Sequence, residues 1–81
     1  MSDGDLYHAL TDVYTSRVEY NVSNKPVYAG EAAPGTLPNE AGWRIQKITY
    51  DVSDNPLIVE WASGNQNFDK VWDERSSYTY T

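Results

Sequence analysis

The back half of the chain, Trp43 to Thr81, holds all three tryptophans (Trp43, Trp61, Trp72), the only phenylalanine (Phe68), and Tyr50, Tyr78 and Tyr80. A buried aromatic side chain withdraws about 150–250 Å² from water. A chain of 81 residues must build its core where those rings are. The expected core is therefore Trp43, Ile45, Trp61, Phe68 and Trp72.

This length makes one domain. Domains near this size bury only roughly 60% of the surface that the unfolded chain exposes, so they are marginal alone. Many are supported by a disulfide, a metal or a partner. Cysteine is absent, which removes disulfides, thiolate catalysis and cysteine-ligated zinc. The single histidine, His8, excludes a multi-histidine metal site within one chain. No cofactor or metal is expected. Seven tyrosines in so small a chain point to support from other copies, a homo-oligomer.

The net charge of −6 comes from 12 acidic and 6 basic residues. Such a surface repels phosphate, and no Lys/Arg cluster is present to release counterions, so nucleic acid is excluded as a partner. Anionic membranes are excluded for the same reason, and no apolar run reaches the length of a transmembrane helix. The acidic start, Met1-Ser2-Asp3-Gly4-Asp5, is unlike a signal peptide, so the chain is expected to be made and kept in a cytoplasm.

Residues 1–15 read as a loosely ordered N-terminal segment and residues 16–81 as a single β-rich domain. Leu6 to Tyr14 fits either a short amphipathic helix or a segment draped over a partner. From Ser16 to Val22 the alternation of Val18, Tyr20 and Val22 with Arg17, Glu19 and Asn21 predicts a half-buried strand. Ser23 to Pro26 is turn chemistry, and Val27 to Ala29 a second strand. Gly30, Pro34, Gly35, Pro38 and Gly42 then punctuate a loop. That loop either crosses between sheet edges or reaches a neighbouring subunit.

Trp43 to Tyr50 is the densest strand, with Trp43 and Ile45 on one face and Ile48 and Tyr50 on the other. That parity change requires either a β-bulge or cover on both faces. Asp51 to Pro56 is a turn, and Leu57, Val59 and Trp61 alternate along the next strand. Phe68, Val71 and Trp72 fall on one face of a short helix near residues 67–75, with Asn67 as its N-cap. Tyr78 to Thr81 closes as a strand, which either completes the chain's own sheet or pairs across subunits. The predicted fold is mainly β: a small antiparallel β-sandwich or barrel with one short helix.

Catalytic constellations are missing. Asp51, Ser53 and Asn55 carry oxygens at calcium-loop spacing, but Pro56 stands where such a loop needs glycine, and Ala62 where it needs glutamate. Asp69, Asp73 and Glu74 are carboxylates with no cleft to shift them. No serine has a histidine base in reach of the pattern, so an enzyme is not expected. Trp61 beside Asn65, Gln66 and Asn67 suits a carbohydrate platform, the alternative function.

Certain residues carry a resemblance. They run Tyr28-Ala29-Gly30-Glu31-Ala32-Ala33-Pro34-Gly35, then Trp43-Arg44-Ile45-Gln46-Lys47-Ile48, then Trp61-Ala62-x-Gly64. Asn67-Phe68-Asp69-x-x-Trp72-Asp73-x-Arg75 and Tyr78-x-Tyr80 complete the series. It resembles small proteins encoded among the virion genes of tailed bacteriophages, over about residues 27–81. The resemblance implies a non-enzymatic structural protein of the virion, made in the host bacterial cytoplasm. It implies a capsid decoration protein or a fibre-base or tail-neck component that binds other copies of itself and other virion proteins. The interface residues expected on that basis, with the loop and strand readings, are Tyr28, Pro34, Leu37, Pro38, Tyr78 and Tyr80.

Overall fold

The computed structural model describes residues 13–81, and the expected features of residues 1–12 lie outside them. The chain forms β1 (Thr15–Tyr20), β2 (Pro26–Ala32), β3 (Ala41–Tyr50), β4 (Pro56–Trp61) and β5 (Lys70–Val71), then a 3-10 helix at Trp72–Ser77. The strands make one antiparallel sheet in the order β1-β2-β3-β4, with β5 also on β3. The fold is mainly β as expected, but among the described residues the strands form a single sheet, with neither a second sheet nor a closed barrel.

Register separates the two faces. Tyr28 lies opposite Lys47, Gly30 opposite Ile45 and Ala32 opposite Trp43, so these share the inner face. The alternate row Val18–Ala29, Ala29–Gln46, Gln46–Trp61 crosses four strands on the outer face. The parity change in β3 therefore needs no bulge between Ile45 and Ile48: pairing is continuous there, and each face holds its own apolar residues.

The core lies entirely under the inner face: Ala32, Trp43, Ile45, Ala62 and Trp72, with Tyr28, Tyr78 and Tyr80 packed on it. Trp43 and Trp72 meet at 6.0 Å between ring centroids. A Cβ on Gly30 would sit 2.7 Å from Cε3 of Trp72, so the missing side chain is what lets that indole lie on β2. The last segment is tied down by its polar groups. The Tyr78 hydroxyl accepts from the Val71 N–H at 2.8 Å, and the Tyr80 hydroxyl donates to the Arg75 carbonyl at 2.7 Å. Burial, then the neighbouring Tyr28 and Tyr78, push the Tyr80 phenol above its ordinary value. Arg75 stands over the Trp72 ring at 4.7 Å and pairs with Glu19 of β1 at 2.6 Å.

Several expectations are corrected here. The short helix is present as a 3-10 helix at Trp72–Ser77, later than the expected span, with Val71 rather than Asn67 at its N-cap. Phe68 and Trp72 do not share a helical stripe: Trp72 is buried under the inner face, whereas Phe68 is exposed and stands over Arg44 on the outer one. Trp61, opposite Gln46, is also on the outer face and half-buried. In β1 the apolar set is the open one. Val18 and Tyr20 are exposed, while Glu19 turns inward to Arg75. The terminal segment is not the expected strand but pairs within its own chain through a single bridge, Ala62 to Tyr80, with Trp61 and Thr81 exchanging both backbone hydrogen bonds and Ser63 N donating to Thr79 O.

The sheet contains a duplication that the strand-by-strand reading passed over. Tyr20-Asn21-Val22-Ser23-Asn24-x-Pro26 returns thirty residues later as Tyr50-Asp51-Val52-Ser53-Asp54-x-Pro56, and Ala32 returns as Ala62. The two turns are built alike. Asn21 Oδ1 accepts from Ser23 N and Lys25 N at 2.9 and 3.0 Å. Asp51 Oδ1 accepts from Ser53 N and Asn55 N at the same distances, 2.9 and 3.0 Å. Asn24 and Asp54 take the left-handed conformation at φ 61° and 64°, which short polar side chains tolerate. Both turns are followed by the same register shift, Tyr20↔Pro26 to Glu19↔Tyr28 and Tyr50↔Pro56 to Thr49↔Ile58. The sheet is thus two copies of one hairpin side by side. Their tips present Val22 and Val52 at one end, at 104% and 105% exposure. Two strand spacings put the tips about 10 Å apart.

Gly30→Ala is expected to lower stability by about 1–3 kcal/mol, the range for overpacking a core, as read by urea denaturation. Acid should separate the twin turns. The Asn55 N–H, with help from Ser53, holds the Asp51 carboxyl below its ordinary value despite some opposing desolvation. A depressed carboxylate stabilises above its unfolded value, and that contribution is lost as pH falls through the folded one. Amide shifts of Ser53 and Asn55 should move in an acid titration, whereas those of Ser23 and Lys25, held by an amide, should not.

Candidate functional site

The outer face of the sheet is the candidate site, because the chain's own C-terminal segment covers the inner face around Trp43 and Ile45, leaving Ile58 half-open only near the turns. At its centre the row Val18, Ala29, Gln46 and Trp61 forms a shallow depression of about 230 Å³, also lined by Ser16, Glu31 and Arg44. Its shape follows from size: Ala29 is a small residue between Val18 on β1 and the indole of Trp61 on β4.

Arg44 organises one end. Its guanidinium carbon lies 4.7 Å from the Phe68 ring centroid, 5.2 Å from Tyr14 and 5.9 Å from Trp61. Tyr14 and Phe68 stack on each other at 5.5 Å and 19°. The same guanidinium bonds Glu31 Oε1, through Nε at 3.0 Å and NH2 at 2.8 Å. A planar cation can stack on rings and fork onto a carboxylate at once, which an ammonium cannot. The result is a raised aromatic ridge at the loop end of the face.

Towards the turn end the face becomes plain and apolar. Ile48 is opposite Val59, and Val18, Tyr20, Leu57 and Val59 are exposed. By register Glu31 and Arg44 are the charged residues of the outer rows, and they neutralise each other, while Arg17 also lines the depression. A protein of net charge −6 thus keeps one broad surface free of net negative charge.

The sequence-predicted site residues are scattered. Tyr28, Tyr78 and Tyr80 pack on the core, and Tyr28 and Tyr80 meet at 5.6 Å, so their rings serve the fold rather than a free surface. In the loop, Leu37 is exposed and Pro34 is at the surface, but the backbone is bound inward. Trp43 Nε1 donates to Leu37 O at 3.0 Å, and Asp73 N donates to Pro38 O at 3.0 Å. The loop at residues 33–40 thus folds back on its own domain. Asn65 Oδ1 accepts from Lys70 Nζ at 2.9 Å and from Asn67 N at 3.1 Å, so this amide is committed to holding the loop and the buried Lys70. Lys70 also pairs with Asp69.

Sequence reasoning missed Arg44, Gln46, Glu31 and Val18 as members of one surface. The signal available was the spacing of Arg44 and Gln46 on the face of β3 opposite Trp43 and Ile45. Among the described residues no group of three or more His, Cys, Asp or Glu side chains could hold a metal ion. Comparison with protein families, with curated proteins and with solved structures returns no match.

Proposed function

We propose that this protein is a non-enzymatic structural component of a bacteriophage virion, a capsid decoration protein or a fibre-base or tail-neck component, acting through subunit–subunit binding. The observation that carries the binding role is the uncovered outer face of the sheet. A small domain whose five buried apolar residues all lie under one face leaves Val18, Val59 and Leu57 in water on the other. Exposed apolar patches of this kind mark interaction sites. The particle assignment rests on the virion-protein resemblance over residues 27–81. The acidic remainder of the surface keeps a free subunit soluble before assembly.

A carbohydrate-binding role is the second reading, favoured by the depression beside Trp61. An indole flank with the Gln46 amide and the Arg44–Glu31 pair nearby is the chemistry that stacks on a sugar ring and bonds its hydroxyls. Of the loop first implicated, Asn65 is already engaged within the fold.

Two measurements separate these roles. The purified protein should be oligomeric by light scattering at high micromolar concentration, and it should bind particles lacking it. A monomer without particle affinity overturns the structural role. On a glycan array, signal that vanishes in Trp61→Ala supports the sugar role, and a blank array ends it.

A further inference from the structure

We infer that the outer face is the contact surface for a second copy of this chain, packed face to face across a two-fold axis with the strands roughly antiparallel. The inference rests on the subunit-binding reading and names its partner.

Charge selects the occupant. Two copies of net charge −6 repel through most of their surface. The outer face carries little charge, because Arg44 and Glu31 cancel within each copy and Arg17 is the one further charged residue lining its depression. A basic partner would instead be drawn to the acidic surface elsewhere. A copy of this chain meets least repulsion here, apolar against apolar.

Shape supplies the two-fold. The ridge of Tyr14 and Phe68 stands at the end of the face near Arg44, and the twin tips with Val22 and Val52 stand at the opposite end, beyond Tyr20 and Tyr50. Antiparallel packing brings each copy's tips to the other's ridge, and gives both fully exposed valines an apolar seat. Parallel packing would oppose ridge to ridge and hold the sheets apart. Between ridge and tips, Val18, Ile48 and Val59 of each copy would meet at the spacing of stacked sheets, about 10 Å. Aligned sheets cross at about −30°. This arrangement completes, between two chains, the sandwich that one chain does not form.

The β4 edge of the sheet is a poorer alternative. On β4 the segment Trp61–Ser63 is already paired with Thr79–Thr81, Pro56 has no N–H to donate, and the register slips beside it. These features blunt an edge against strand addition.

The sheet part of the footprint, about 19 Å across four strands and about 20 Å along them, covers only roughly 760 Å² over the two copies, below the roughly 1,200 Å² of specific interfaces, so a stable dimer requires the tip-to-ridge contacts as well. Adjacent residues of β4 provide the test, since Val59 faces outward and Ile58 inward, at 53% and 47% exposure. Sedimentation equilibrium should give a dimer that tightens as salt is raised, because screening relieves repulsion between acidic copies. Val59→Glu and Val18→Glu should each weaken dimerisation about tenfold or more, since a carboxylate would be buried against an apolar face. Ile58→Glu should leave it unchanged. Circular dichroism of each variant checks folding. A wild-type monomer at all concentrations overturns the homo-oligomer reading along with this inference. A wild-type dimer that is broken by Ile58→Glu but not by Val59→Glu overturns the inference alone, as does a dimer that weakens with salt.

Discussion

The structure depends on one indole packed where a side chain is missing. Trp72 packs over Gly30 of β2 and against Trp43 of β3, and this contact fixes how the C-terminal segment crosses the sheet. Once Trp72 is seated, Arg75 falls within reach of Glu19 on the far strand, and Tyr80 comes to lie beside Tyr28. The final residues then pair with Trp61 and Ser63. Burying a ring of that size is the largest single favourable term available to a chain this short. The polar contacts around it orient the segment more than they stabilise it.

Filling the inner face has a consequence for the outer one. The chain spends Trp43, Trp72 and its terminal tyrosines on one side of a single sheet. Four strands have two faces, and the second receives the smaller apolar residues Val18, Ala29, Ile48 and Val59, together with Arg44 under its aromatic ridge. An antiparallel sheet with one face in water normally alternates apolar and polar residues cleanly. Here the turn-proximal half reverses the usual sides: the outer row is Val18, Ala29, Ile48 and Val59, while the inner row carries Glu19, Lys47, Thr49 and Glu60 beside Tyr28 and Ile58.

The hairpin duplication explains why the sheet is regular. Each unit brings its own turn, locked by an Asn or Asp oxygen that receives two backbone amides, so register is set locally and identically at both tips. Meander pairing then places the second unit beside the first without a long crossover. The recurrence of a small buried residue at Ala32 and Ala62 puts equivalent floor positions under the core on β2 and just beyond β4. The second unit differs from the first where the core and the outer face need it to: Tyr28 is replaced by Ile58, Gly30 by Glu60 and Glu31 by Trp61.

Much of the fold was legible in the residues. Alternation gave β1 and β4, apolar density gave β3, and Asn/Asp-rich turns gave the hairpin ends. Trp43, Ile45 and Trp72 are in the core as their size and setting require. What periodicity could not supply is which face of a strand the rest of the chain covers. Val18 and Tyr20 read as an inward face and lie outward, because the segment that returns over the sheet brings Arg75 to the Glu19 side. Phe68 and Trp72 are four residues apart and read as a stripe, yet β5 pairing at Lys70 turns the chain so that one ring goes to each face. Sequence by itself determined the strand content, the turns and the tryptophan nucleus, because these depend on neighbours a few residues away and on hydrophobic mass. Only tertiary structure decided the sidedness of the sheet and the assembly of Arg44, Gln46, Val18 and Trp61 into one surface, because those follow from where a distant segment docks.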